Sequence, residues 1–165
     1  MPVVSNTSPL WNLASLDRLD LLHDQFPDVR IPQAVMDELR IGHDYPEMTR
    51  IRQAIDAQRV TVKSLTNVSL QRSLMLELDR GEAAAIALAL ELSVTHILID
   101  ESDGRVTARA MGLRPVGILG ILLRAKHEGK VVSLSYEMSR LRYEAGFFIA
   151  EPLFQRLRKE AGEAS

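Results

Sequence analysis

The sequence predicts an α/β fold, a three-layer α/β/α sandwich in which helices cover both faces of a central parallel sheet. Short apolar segments rich in β-branched residues alternate with segments whose apolar residues recur at helical spacing. This alternation favours a parallel sheet, because a helix returns the chain to the start of each following strand. A length of 165 residues suits a single domain with a sizeable core.

The strands are predicted in short segments that are apolar enough to be buried on both faces. In chain order these segments are residues 2–5, 29–31, 60–62, 97–99 and 115–116.

The helices are predicted between and after these strands. Pro9 suits the first turn of a helix, and Pro32 opens the helix predicted over residues 33–40. The amide hydrogens in the first turn of a helix have no partner within the helix, so proline, which has none, is tolerated there. Gly112 suits a left-handed helix end. After the helix beginning near Pro9, the predicted helices are residues 16–26, 33–40, 47–57, 70–78, 81–92, 105–111, 118–128, 134–143 and 151–161.

The composition is that of an ordinary soluble protein, with 25% charged and 46% hydrophobic residues. The absence of cysteine excludes a disulfide framework and a thiolate metal site. The first residues enter a strand without a basic leader, and the longest apolar run, residues 83–90, is too short to cross a bilayer. We therefore expect a cytoplasmic protein without a membrane contact, with residues 1–161 forming one domain and residues 162–165 a flexible end.

Oxygen-bearing side chains occur where strands should end and helices begin. Asn6 follows the first strand, Asp100 follows the fourth, and Glu82 begins an apolar helix. Ligands of an open parallel sheet bind beyond the carboxyl ends of its strands. Carboxylate and amide oxygens suit Mg²⁺ or Mn²⁺. The pattern predicts metal-dependent chemistry on a phosphate ester.

Each of these residues, taken singly, has a simpler explanation. Asn6 and Asp100 could simply be caps of the helices that follow them, with no further role. Glu82 would be favoured by the helix dipole alone, and Glu38 borders an apolar stripe and could be a solvated edge. Their occurrence together carries more weight than any one of them.

The charge is distributed unevenly along the chain. Residues 1–100 carry 9 Lys/Arg and 14 Asp/Glu, whereas residues 101–165 carry 11 and 8. Arg105 and Arg109 follow the last acidic segment and are predicted to contact the phosphates of a nucleic acid, which the resemblance described below implies to be RNA. An acidic centre beside a basic flank suits a nuclease, which holds both a cation and a polyanion. The alternative is that these charges only decorate solvated helix faces.

Other chemistry has little support in the sequence. The four histidines form no i,i+4 metal-binding pair, and the chain contains neither a Gly-x-Ser-x-Gly motif nor a P-loop. Aromatic residues are only 5% of the chain, which disfavours a base-stacking platform. Recognition of nucleic acid is therefore expected to rest on phosphates.

Four segments carry the candidate site residues: residues 4–10 (VSNTSPL), 31–39 (IPQAVMDEL), 80–87 (RGEAAAIA) and 98–103 (LIDESD). In this order they resemble the PIN-domain family, and within it the small prokaryotic proteins akin to VapC toxins. A further segment, residues 112–120 (GLRPVGILG), resembles an uncharacterised PIN-like subgroup. The resemblance covers nearly the whole chain.

The resemblance implies an α/β/α sandwich whose acids hold Mg²⁺ or Mn²⁺ for cleavage of single-stranded RNA. By matching position, the metal-binding acids would be Glu38, Glu82, Asp100 and Asp103. Ser8 would support the site by hydrogen bonding.

Asn6 stands in the catalytic set where the family more usually has aspartate. An amide can coordinate a cation but adds no negative charge. A catalytically weak or inactive module that binds RNA or protein is therefore the alternative to a ribonuclease.

The resemblance further implies the toxin of a toxin–antitoxin pair, with a small cognate antitoxin protein as its partner. We also expect a homodimer. A flavodoxin-like nucleotide or phosphate binder is a third and weaker alternative.

Overall fold

A parallel sheet forms the centre of the computed structural model, which describes residues 1–163. Within these residues the sheet has five strands in the order β3-β2-β1-β4-β5, and each neighbouring pair is parallel. This confirms the predicted fold class. The strands are β1 (Val3–Ser5), β2 (Val29–Pro32), β3 (Val60–Lys63), β4 (His96–Leu98) and β5 (Arg114–Val116).

Helices connect the strands and complete the chain after β5. They are α1 (Thr7–Ser15), α2 (Leu19–Gln25), α3 (Gln33–Ile41), α4 (Pro46–Asp56), α5 (Val68–Leu74), α6 (Arg80–Glu91), α7 (Ser102–Ala110), α8 (Ile118–His127), α9 (Leu134–Tyr143) and α10 (Glu151–Glu160). No helix within the described residues is long and apolar enough to span a membrane.

The sheet separates two apolar cores, because successive strand residues point to opposite faces. Val3 and Leu98 belong to one core, together with side chains of α1 to α4 and α8 to α10. Val4 and Ile97 belong to the other, together with side chains of α6 and α7. The result is a three-layer sandwich.

Helix α6 is buried from Gly81 to Ala89, which explains why it is apolar all round. One side of α6 packs against β1, β2 and β4, and its other sides pack against α3, α5 and α7. Glu82 lies in the first turn of this helix and is only 6% exposed. The fold therefore carries an acid into an almost water-free environment.

The direction of the strand order reverses at β1. The chain passes from β1 to β2 and β3 on one side, and then places β4 and β5 on the other. Ser5 pairs with Leu98, and the amide of Asn6 donates to the carbonyl of Leu98 at 2.9 Å. The carboxyl ends of β1 and β4 thus meet at the switch point, where ligands bind in such sheets.

Some element boundaries differ from the sequence prediction. The helix expected over residues 16–26 begins only at Leu19, because Asp17 has a left-handed backbone with φ 55°. Helix α7 begins at Ser102 rather than at Arg105. The predicted left-handed helix end at Gly112 is confirmed by its φ of 85°.

Glu163, which belongs to the segment predicted to be a flexible end, contacts the start of α9, and the flexibility of this segment stays a prediction. Glu163 accepts hydrogen bonds from the amides of Leu134 and Ser135, at 2.6 and 3.0 Å, and thereby caps α9. It also forms an ion pair with Lys126 at 3.2 Å. Ala164 and Ser165, which complete the predicted flexible end, lie outside the described residues.

Candidate functional site

Asn6 lies directly after β1 and is 4% exposed. Its side chain makes no capping hydrogen bond to α1, although the residue occupies the N-cap position. The amide nitrogen lies 3.5 Å from Oε2 of Glu101, and the buried Oδ1 has no hydrogen-bond partner within the described residues. The side chain therefore does not act as the helix cap that its position would suggest.

Asp100 follows β4, and its side chain is hydrogen-bonded to the start of α8. Its Oδ1 accepts a hydrogen bond from the amide of Ile118 at 2.9 Å, whereas its buried Oδ2 has no partner in the described part of the chain. Burial raises the pKa of Asp100 to about 6, although the Ile118 hydrogen bond opposes the increase. A Cβ at residue 117 would lie 2.8 Å from Oδ1, so glycine is needed there.

Glu82 enters the site from the first turn of α6. Asp79 caps this helix by accepting a hydrogen bond from the Glu82 amide at 2.8 Å. Burial, followed by the effects of the neighbouring Asp79 and Glu101 carboxylates, raises the pKa of Glu82 to about 7. A Cβ at residue 104 would lie 2.5 Å from Oε2 of Glu82, so the carboxylate packs closely against Gly104 of α7.

Glu101 links the parts of the site, although the sequence analysis did not select it. Its carboxylate accepts a hydrogen bond from the Ser8 hydroxyl at 3.0 Å and lies next to the Asn6 amide. Its charge also raises the pKa of both Glu82 and Asp100. Its place next to Asp100, at the end of β4, was the signal that could have identified it.

Glu38 comes from α3 and lies beside the start of α6. The Thr7 hydroxyl donates a hydrogen bond to its Oε2 at 2.5 Å, and its carboxylate packs against Gly81. Glu38 is half-buried, and its carboxylate contacts the residue that precedes Glu82 in α6.

Asp103 has different surroundings from these acids. It is exposed and lines a separate hollow with Glu77 and Thr107. Asp103 lies in the first turn of α7, whereas Glu101 precedes the helix with an extended backbone. No hydrogen bond in residues 1–163 connects it to the other acids, and its role in the site stays a prediction.

The two arginines predicted to contact RNA have different surroundings. Arg105 is half-buried, donates to the Ile99 carbonyl at 3.3 Å and lies beside Asp100. Arg109 is exposed in the last turn of α7. Their contact with RNA also stays a prediction.

Three oxygens of the predicted site share one property. Oδ1 of Asn6, Oε2 of Glu82 and Oδ2 of Asp100 are buried and without a hydrogen-bond partner among the described residues. Leaving a buried acceptor unpaired costs about 1–3 kcal/mol each. A divalent cation is a ligand that would satisfy such oxygens, so the donor set fits Mg²⁺ or Mn²⁺.

The carboxylates are not gathered tightly. Over residues 1–163, no group of three or more acidic or histidine side chains is arranged so that it could hold a metal ion. Two carboxylates and an amide are nevertheless compatible with Mg²⁺, which retains several water ligands and takes one or two protein carboxylates.

The fold and the acids at its switch point define an α/β protein with a candidate metal-dependent hydrolytic site. A family model described as a PIN domain matches residues 2–163, and the chain belongs to that family. PIN domains are generally nucleases that use divalent metal ions and bind nucleic acid. Comparison with curated proteins gave no match, and comparison with solved structures gave none either.

Proposed function

We propose that this protein is a Mg²⁺- or Mn²⁺-dependent endoribonuclease that cleaves single-stranded RNA. Asn6, Glu82 and Asp100 hold the cation, and Glu38 and Asp103 are further candidate ligands. The observation that carries the proposal is the set of three buried, unpaired oxygens on Asn6, Glu82 and Asp100. Membership of a family of nucleases supports it.

The cation, when bound, supplies a water of lowered pKa and neutralises charge that develops on the scissile phosphate. The chain's own residues position the ligands. Glu101 lies against the Asn6 amide and accepts from the Ser8 hydroxyl, which fixes the end of β1 against the start of α7. The Ile118 amide holds one oxygen of Asp100 and leaves the other available.

Cation binding is expected to be weak in the free protein. Asn6 adds no charge, and the raised pKa values of Glu82 and Asp100 mean that protons compete with the metal near neutral pH. Bound RNA would add phosphate oxygens to the coordination shell and strengthen the site.

Calorimetry with Mn²⁺ tests this proposal. Asp100→Asn should bind Mn²⁺ more weakly than the wild type, because it removes a ligand charge. Asp56→Asn, at an exposed position in α4, is the matched control and should bind as the wild type does. Equal binding by the wild type and Asp100→Asn would refute the assignment of Asp100.

A second candidate function is a module that binds RNA or protein without cutting. The amide at Asn6 and the absence of a three-carboxylate group in the described residues favour it. Incubation of a labelled single-stranded RNA with the protein, in saturating Mn²⁺ or in chelator, separates the two functions. Binding without any Mn²⁺-dependent cleavage would support the module.

We also propose that the protein acts as a cytoplasmic toxin, as a homodimer neutralised by a small antitoxin protein. The resemblance of four segments to VapC toxins supports this role. Induced expression should arrest growth, and Asp100→Asn should relieve the arrest at equal protein levels. Light scattering should give twice the chain mass of 18.5 kDa, and a value near 18.5 kDa would refute the dimer.

A further inference from the structure

A hollow of about 640 Å³ lies beside Asp100, at the β5 edge of the sheet. We call it the arginine–phenylalanine hollow. Its wall includes Arg105 of α7, Arg156 of α10, and Phe147 and Phe148 from the segment between α9 and α10. It therefore joins three distant parts of the chain next to the proposed metal ligand.

Two side chains in the wall of the hollow are largely exposed to solvent. Phe148 is 85% exposed, and the Arg156 side chain is 69% exposed. Among residues 1–163, the carboxylate oxygen nearest to Arg156 belongs to Glu160 at 4.0 Å, a distance at which an exposed pair contributes little. The Arg156 guanidinium and the Phe148 ring are thus accessible to a ligand.

Arg105 supplies a second cation in a fixed position. Its hydrogen bond to the Ile99 carbonyl, at 3.3 Å, directs the guanidinium towards Asp100 and Gly117. Any side chain at residue 117 would collide with it, because a Cβ there would lie 2.8 Å from Nη1 of Arg105. The glycine leaves this end of the hollow open beside Asp100.

We propose that the arginine–phenylalanine hollow binds one nucleotide of the RNA, adjacent to the nucleotide at the metal site. The proposal rests on the proposed function, because it places the RNA across Asp100. The hollow has the volume of a small-molecule site. An exposed aromatic ring offers a stacking surface for a base, and guanidinium groups bind phosphate.

A nucleotide fits these groups better than a segment of a protein partner. A base attached to a phosphate uses both the ring and the two guanidinium groups, whereas an apolar protein segment gains nothing from the charges. The low aromatic content of the sequence predicted that RNA recognition would rest on phosphates alone. The proposal adds stacking to those contacts, because the fold brings the two phenylalanines next to the arginines.

Fluorescence anisotropy with a labelled single-stranded RNA of twelve nucleotides tests the inference, in chelator so that the RNA stays intact. Phe148→Ala should weaken binding about tenfold without changing its salt dependence, because it removes stacking. Arg156→Gln should weaken binding and make the slope of log affinity against log salt shallower by about 0.7, because one phosphate contact is lost.

Matched controls come from exposed residues away from the hollow. Tyr143→Ala removes an aromatic ring that is 79% exposed, and Arg52→Gln removes an exposed arginine of α4, which packs at the opposite edge of the sheet. Both should bind RNA as the wild type does. Losses in the controls as large as those in Phe148→Ala and Arg156→Gln would overturn the inference.

The remaining outcomes separate this inference from the proposed function. Unchanged affinity in Phe148→Ala and Arg156→Gln overturns the inference and leaves the hollow to a protein segment, even if the wild type cleaves RNA. An absence of RNA binding by the wild type overturns it as well. Selective losses in both variants support it even if no Mn²⁺-dependent cleavage occurs, in which case only the ribonuclease assignment fails.

Discussion

Replacing Asn6 with aspartate adds a charge to a site that is already acidic. The Asn6 nitrogen lies 3.5 Å from Oε2 of Glu101, so the substitution brings two carboxylate oxygens to about this distance. Two unit charges there repel by about 1 kcal/mol at the dielectric of water and about 5 kcal/mol at an effective dielectric of 20. Because Glu101 is exposed, a cost of about 1–2 kcal/mol is expected for the metal-free protein.

This cost should appear as a lower melting temperature in chelator. For a chain of this length, about 1 kcal/mol corresponds to roughly 2–4 °C, so Asn6→Asp should melt about 2–8 °C below the wild type. Mn²⁺ should reduce or reverse the difference, since a ligand that binds the folded state stabilises it more as its affinity rises. The carboxylate gives the variant the higher affinity.

The assay is a set of thermal melts of both proteins over a Mn²⁺ titration, starting in chelator. Asn67→Asp is the control, because it also adds a charge beside a carboxylate but outside the site: Asn67 is an exposed N-cap of α5, and its backbone amide donates to Glu91 at 2.9 Å. Its change in melting temperature on adding Mn²⁺ should equal that of the wild type. An identical Mn²⁺ response of Asn6→Asp and the wild type would refute the placement of Asn6 in a metal site.

Two glycines and one acid give further predictions. Gly104→Ala places a Cβ 2.5 Å from both Glu82 Oε2 and the Ile99 side chain, and urea unfolding should show a loss of about 1–3 kcal/mol. In Gly120→Ala the nearest atom to the new Cβ is 3.8 Å away, so the same measurement should show a gain of about 0.5–1 kcal/mol, and a loss would contradict the reasoning. Glu163→Ala should cost about 1–2 kcal/mol at pH 7, because the amides of Leu134 and Ser135 at the start of α9 lose their acceptor, although the Ser133 side chain still caps the helix. Burial opposes ionisation of Glu163, but hydrogen bonds from Ser135 lower its pKa from 4.5 to about 2, so this cost should be full above pH 5 and shrink as the pH falls towards 2.

Most helices and strands could be predicted from the sequence, because each is marked by the residues within it. The buried helix α6 is evident from its apolar run, and β-branched segments mark the strands. The division between α1 and α2 was not predicted, because it falls at Asp17, whose left-handed backbone is uncommon for a residue other than glycine. The order of the strands also depends on contacts between distant segments.

The site was predictable as a set of segments and less so as a set of side chains. Asn6, Glu82 and Asp100 could be selected because each follows a strand or begins a helix. The choice between Glu101 and Asp103 depends on where α7 begins, because Glu101 precedes the helix with an extended backbone and Asp103 lies in its first turn. A helix predicted to start at Arg105 gave no reason to prefer Glu101.

The central position of β1 has a consequence for the order in which the sheet is completed during synthesis. One neighbour of β1, β2, ends at Pro32, but the other, β4, begins only at His96. Until the ribosome has delivered that segment, one edge of a strand of two valines and a serine has no partner. Unpaired strand edges recruit other chains, so a nascent or truncated chain that lacks β4 is the form of this protein most exposed to aggregation.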